Sequence, residues 1–303
     1  MSKQLTDETA SFAPASRNDV YQIVTDRVIS LLEAGTVPWR KPWAGGEYQF
    51  PRNLASGKPY RGVNVWLLSC AGFGSPYWVS YKQARERGGN VRKGEKSSLA
   101  VFWKRLEVDD KENPGKRKFV PLLRYYNVFN VEQCDGLAYP KPEPRAVTFD
   151  PIAAAESIVE AMPARPEITH GEPRAYYRRD VDRVNMPARD SFSVEAEYYS
   201  TLFHELVHAT GHESRLARLA NESTNFGSST YAKEELLAEM GASYLSASAG
   251  ILHTTVDNSA AYIASWLQRL RDDRKLVVMA AAAAQRAADF ILGQSYAPAE
   301  SAT

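Results

Sequence analysis

With 303 residues, 44% hydrophobic and 24% charged, the chain has the composition of a soluble globular protein and the length for one large domain or two ordinary ones. No apolar run reaches the roughly 18 residues that would cross a bilayer, and the start is polar and acidic as far as Glu8, without a signal-peptide pattern. Its only cysteines, Cys70 and Cys134, exclude a disulfide scaffold and point to a reducing compartment, the cytoplasm. The net charge of +1 hides an asymmetry, because residues 1–135 carry 21 Lys and Arg against 14 Asp and Glu and the remainder 16 against 22. The two halves are expected to meet different partners.

Residues 1–17 are small and polar and are expected to be mobile. From 19 to 34, Val20, Ile23, Val24, Val28, Leu31 and Leu32 follow a helical period, with Asn18 or Asp19 as cap and Gly35 beyond the end. The stretch 39–105 then holds 13 Lys and Arg against three acidic residues, together with twelve aromatics that include five of the six tryptophans. Cations attract phosphates and flat rings stack on unpaired bases, so this mixture predicts a nucleic-acid platform that favours single strands over duplex. No helix-turn-helix or zinc-finger pattern points to duplex reading. Trp66 (in the run 63–68) and Phe102 and Trp103 (in 99–103) sit in apolar or strand-like surroundings and read as core. The polar-flanked residues are the DNA-binding candidates: Trp39, Arg40, Lys41, Trp43, Arg52, Asn53, Lys58, Tyr60, Arg61 and Asn64, with Arg92 and Lys93 in a basic loop.

A short helix over 80–87, Gly88-Gly89, and strands over 98–105 and 119–128 joined by a charged tip complete an antiparallel sheet with a few helices. Pro140, Pro142 and Pro144 form a stiff linker, which divides the chain into a basic domain (1–136), a linker (137–150) and a second domain (151–303). That second domain opens on a helix over 151–162 stopped by Pro163, followed by strand candidates over 175–178 and 181–184. It ends on helices over 259–271 and 276–292, the latter closed by Gly293 and carrying an alanine run suited to close helix packing. The predicted class is α+β in two domains.

Between these elements lies His204-Glu205-Leu206-Val207-His208, an HExxH pattern. Residues i and i+4 of a helix lie about 40° apart, so both imidazoles project from one face toward a metal. Glu205 is then placed to take a proton from a metal-bound water. Ser193 is a fair N-cap for this helix, Tyr199, Leu202, Phe203 and Leu206 give it an apolar face, and Gly211 is a natural stop. Three of the five histidines fall within nine residues, which lifts the motif above a chance match. A third ligand must come from elsewhere. Ser214 stands where a metzincin has its third histidine, and His212 comes two residues too early. The helical stretch 231–242 offers Glu235 as third ligand, with Glu234 as fallback, and Glu239 as acceptor for the far nitrogen of a ligating imidazole. Tyr231 and His212 are candidate donors to a developing oxyanion.

Both halves resemble one family, the ArdC-type antirestriction proteins of conjugative plasmids. Residues 53–66 and 124–131 are similar to the single-stranded-DNA-binding domain that this family shares with plasmid TraC-type primases. Residues 204–212 with 231–242 are similar to its zincin-like metallopeptidase domain, which resembles the SprT-like DNA-dependent proteases in plan. The resemblance implies zinc on His204, His208 and Glu235, with manganese as the alternative, and Glu205 as general base. It further implies protection of DNA entering by conjugation from host restriction, with single-stranded DNA and a protein substrate as partners and no membrane. A rival reading is a protein that coats single strands and whose metal site is structural or proteolytically inactive. Nuclease action is weaker, since nothing resembles a two-metal carboxylate cluster.

Overall fold

The computed structural model describes residues 19–40, 50–109, 117–141, 151–218, 229–251 and 260–295. The N-terminal polar segment, the tip of the predicted hairpin, residues 142–150 of the linker, and the candidates Lys41 and Trp43 lie outside them.

Helix α1 (Val20–Glu33) starts where the Asp19 carboxylate accepts from the Tyr21 N–H at 3.0 Å, and its apolar period buries Val24, Val28 and Leu32. A 3-10 turn, Pro38–Arg40, follows. Next come β1 (Arg52–Asn53), α2 (Val63–Ser69), β2 (Tyr77–Val79), α3 (Tyr81–Glu86), β3 (Asn90–Val91), β4 (Ser98–Asp109), β5 (Arg117–Asn130) and β6 (Cys134–Asp135). The strands form a sheet in the order β1-β2-β5-β4, and β3 pairs with β6. Ser80 and Gln83 close a reciprocal capping box on α3, as the turn chemistry of that stretch demands. The run 63–68, read as apolar or strand-like core surroundings, is buried as expected and is helical. Every one of its residues is buried, so it carries no period by which to tell strand from helix. Gly62, at φ +57°, makes the entry that an L side chain would resist.

The second half comprises α4 (Pro151–Ala161), a small sheet of β7 (Glu167–His170), β8 (Tyr176–Arg178) and β9 (Arg183–Met186) in the order β7-β9-β8, and four further helices. These are α5 (Glu195–Ala209), α6 (Ser229–Ala249), α7 (Ala260–Asp272) and α8 (Leu276–Ile291). Strand β9 lies two residues beyond its predicted place, and β7 was not foreseen. Helix α5 begins after Val194, whose side chain makes no capping bond, so Ser193 is not the cap. Glu195 and Glu197 still favour the positive end of the helix. The alanine run buries Ala280, Ala281, Ala284, Ala287 and Ala288 in α8, where small side chains let helices approach closely.

The two halves share one hydrophobic core. Residues of α1 and α2 belong to the same buried cluster as α5, α6 and α8. Trp66 lies 4.5 Å, ring centre to ring centre, from Tyr244 of α6, and Trp39 stands edge-on to Trp266 of α7. Polar ties reinforce the seam: Arg61 pairs with Asp289, the Gly62 N–H donates to Gln285 Oε1 at 3.1 Å, and Arg271 reaches Glu33 at 2.7 Å. Cut away from the second half, the first would expose Trp39 and Trp66, so functional tests belong on the whole chain.

Candidate metal centre

The site is made by two helices that touch. Leu202, Phe203, Leu206 and Val207 bury one side of α5 and turn His204 and His208 toward α6. Opposite them is Gly241. A Cβ built there would meet Val207 Cγ2 at 2.7 Å, so only glycine lets α6 come close enough to set its glutamates over the histidines.

There the ligand atoms of His204, His208 and Glu235 converge into a set that could hold a metal ion. The two Nε2 atoms are 3.1 Å apart, His204 Nε2 is 3.7 Å from Glu235 Oε2, and His208 Nε2 is 3.6 Å from Glu235 Oε1. Tetrahedral ligands at bond lengths of ~2.1 Å sit about 3.4 Å from one another, so two imidazoles and one carboxylate at these separations fit a zinc-type site with one position open. Glu234 does not face that centre. Its Oε1 lies 3.3 Å from His208 Nδ1, which leaves Nε2 as the ligating nitrogen.

Electrostatics favour a cation here. Burial alone would lower the His204 pKa, but the hydrogen bond to Glu235 and the charges of Glu205, Glu239 and Glu235 raise it to about 9. Burial would push Glu235 up, yet it is held below the ordinary carboxylate range by a hydrogen bond to His204, by both imidazoles and by the Tyr231 hydroxyl. Glu234 is likewise opposed by burial but pulled down to about 2 by His208 and Arg218. Glu205 is buried on the same helix, and its charge acts on both His204 and Tyr231.

Of the other residues expected at the site, Tyr231 bonds to Glu235 and stands at the centre's edge. His212 does not join it. Its Nδ1 engages the Ser214 hydroxyl at 2.8 Å in the turn after α5, beside an open depression lined with Arg178, Arg179, Asp180 and Glu213. The hydrogen-bonding role expected of Glu239 is filled for His208 by Glu234, while Glu239 contributes its charge to His204.

The DNA-binding candidates scatter. Trp39 is 1% exposed and donates from its indole to Tyr262 at 3.3 Å, which leaves no ring face for a base. Asn64 is also a core residue, clamping α2 to β4 through paired 2.7 Å bonds with the Val101 backbone. Tyr60 is buried, with Asn53 Nδ2 3.4 Å from its hydroxyl, and Asn53 also donates to Gln83 at 3.0 Å. Arg61 is committed to Asp289, and Arg92 to Glu95 and the Glu132 carbonyl. Lys58 and Lys93 are exposed and Arg52 is half-buried; of Arg40 only the backbone is described. The β4–β5 register brings out a pair that the sequence reading missed. Phe102 lies directly opposite exposed Arg124, with Tyr126 edge-on to the Phe102 ring at 5.5 Å. Strand alternation was the available signal, obscured because the whole run 99–103 is apolar.

Residues 153–283 match the zincin-like metallopeptidase model and residues 18–129 match the N-terminal domain of anti-restriction factor ArdC. The ArdC protein from the R388 plasmid, solved metal-free and with Mn(II) bound, is 42% identical. In its Mn(II) form it covers 91% of this chain and 97% of its own, at a TM-score of 0.72. This chain belongs to the ArdC antirestriction family. The protein y4eC of Sinorhizobium fredii (strain NBRC 101917 / NGR234) is 36% identical over 94% of this chain and 95% of its own length. A DNA primase TraC of Escherichia coli is 38% identical over 90% of this chain, yet the match spans only 20% of the primase. The zincin-like domain implies zinc, and the Mn(II)-bound relative makes manganese a second candidate for this family's site. No described helix is long and apolar enough to cross a membrane.

Proposed function

We propose that this family member protects incoming DNA from restriction by binding single strands through its first half and hydrolysing protein through its second. The observation that carries the reading is the convergence of His204, His208 and Glu235 at tetrahedral separations with the Glu205 carboxylate on the same helix. Membership in the ArdC family supplies the antirestriction role, and the shared segment in a DNA primase supports contact with DNA.

His204, His208 and Glu235 would hold the ion. When bound, a divalent metal supplies Lewis acidity toward water and a peptide carbonyl. Glu205 accepts the proton released by the attacking water on its carboxylate and returns it to the departing amide nitrogen. The Tyr231 hydroxyl, at the edge of the same centre, turns from Glu235 to donate to the carbonyl oxygen as it gains charge. Strand β8 carries Tyr176 and Arg178 beside α5 and is an edge of its sheet among the described residues, which offers a side for an extended peptide.

For the DNA half, Phe102, Arg124, Lys58 and Lys93 are the proposed contacts. Phe102→Ala is expected to weaken binding of an unstructured oligonucleotide by about 1–3 kcal/mol. Arg124→Gln should reduce the slope of log affinity against log salt by about 0.7. Fluorescence anisotropy across a salt series measures both, and unchanged affinity and slope would remove this face from the DNA site. The whole reading is tested by transferring unmethylated DNA into a restricting host with wild type, Glu205→Ala and Phe102→Ala. Loss of protection in Glu205→Ala with DNA binding intact supports hydrolysis. Retained protection in that variant makes the protein a strand shield with an architectural metal site.

A further inference from the structure

Arg218, in the turn beyond α5, has no counterpart in the HExxH pattern and meets the candidate ligands at a backbone atom, with Nη2 3.5 Å from the His208 carbonyl oxygen. Its side chain is nonetheless engaged at every nitrogen. Nη2 and Nε grip Glu234 as a fork, at 2.6 Å to Oε1 and 3.1 Å to Oε2. Nη1 donates to Thr210 Oγ1 at 2.5 Å, and Nη2 also donates to the Val207 carbonyl at 2.6 Å. The Thr210 hydroxyl, fully buried, itself donates to that carbonyl at 2.6 Å.

We infer that Arg218 is a positioning residue for the metal centre, holding the His208 ring through Glu234 and locking the end of α5 against α6. The inference rests on the metal-site reading above. Two features of the geometry carry it. Val207 and Thr210 lie on either side of His208, so the guanidinium fixes the backbone from which that ligand projects, adding a donor to the Val207 carbonyl that the Thr210 N–H and hydroxyl also reach. Glu234 precedes Glu235, so the same group fixes the α6 backbone that presents the third ligand, while the Glu234 Oε1 that Nη2 grips also meets the His208 Nδ1 at 3.3 Å. One planar fork thus sets ligands from two helices. Lysine offers one compact charge and cannot span a carboxylate, a hydroxyl and a carbonyl together.

The test uses the full chain as wild type, Arg218→Gln, Arg218→Lys, Glu234→Gln and the double variant Arg218→Gln/Glu234→Gln. Zinc affinity is read by competition with a chromophoric chelator, ligand geometry by the visible absorption of Co2+ in the site, and stability by thermal unfolding of the metal-free protein. Arg218→Gln is expected to weaken zinc by about 10–100-fold and to alter the Co2+ spectrum. Arg218→Lys should recover only a small part of the loss. Because part of the action of Arg218 runs through Glu234, the loss in the double variant should fall short of the sum of the two single losses. Wild-type zinc affinity and an unchanged Co2+ spectrum in Arg218→Gln, whatever its melting temperature, would reduce Arg218 to a structural residue. Fully additive losses would likewise overturn the route through Glu234. Should Arg218→Gln not fold, Arg218→Lys decides: binding equal to wild type overturns the inference, and a loss matching Glu234→Gln supports it. Failure of the wild type to bind Zn2+, Co2+ or Mn2+ would instead overturn the metal-site reading, and this inference with it.

Discussion

Glu205→Gln is expected to lower peptide hydrolysis by about 10²–10⁴-fold while leaving zinc affinity within about threefold of wild type. Its carboxylate is the buried acid on the metal-facing helix that is not among the three converging ligands. Glutamine keeps the shape and loses the ability to take a proton, so the variant separates proton transfer from metal binding. Cleavage of unfolded protein presented with single-stranded DNA, followed alongside zinc competition, measures the two effects independently. Hydrolysis at the wild-type rate in this variant would remove Glu205 from the mechanism. A parallel fall in zinc affinity would show that the carboxylate serves the site's structure instead.

Asp182→Ala is expected to cost about 3–5 kcal/mol of stability, toward the lower end because the aspartate is partly exposed. The Arg215 side chain is 1% exposed and donates to both Asp182 oxygens at 2.8 Å and to the Ala209 carbonyl at 3.0 Å. Removing the carboxylate strands a buried guanidinium and unties the β8–β9 turn from the end of α5. Burial pushes the Asp182 carboxyl up, but hydrogen bonds from Arg215 and Tyr177, with the charges of Arg215 and His212, hold it below the usual aspartate range. A depressed carboxylate contributes stability above its unfolded value, about 3.9, and loses it as pH falls through the lower folded value. The wild-type advantage over Asp182→Ala should therefore be full at pH 7, persist at pH 5, and shrink below about pH 4. Urea unfolding across that range measures it; a gap independent of pH would mean that the ion pair contributes no net stability.

The sequence was most legible where one residue type has one physical use. The i, i+4 histidines, the cap of α1, the short helix α3 and the long pair β4–β5 follow from local rules, and each lies within a residue or a few of its expected place. Local reasoning ranks Glu235 ahead of Glu234 as third ligand, but the geometry behind that choice lies in the packing of two helices. Adjacent residues on a helix differ by about 100°, and which one faces the histidines depends on how α6 rolls against α5 at Gly241. The aromatics misled for a related reason. Trp39 is flanked by charged and polar residues in sequence yet fills a pocket made by Tyr262 and Trp266, more than 220 positions away. Phe102, in an apolar run, is the ring left half-open.

By itself the sequence determined the pattern: a helix with the HExxH spacing, a second helix rich in carboxylates, and a basic half rich in aromatic residues. These are properties of spacing and composition, which short-range geometry converts directly into elements. Only the tertiary structure decided that Glu235 faces both imidazoles, that Glu234 and Arg218 brace His208 from behind, and that the two halves close over one core. Those outcomes depend on the relative rotation and approach of helices far apart in the chain, and they are set by side-chain volumes at contacts such as Gly241 and Val207.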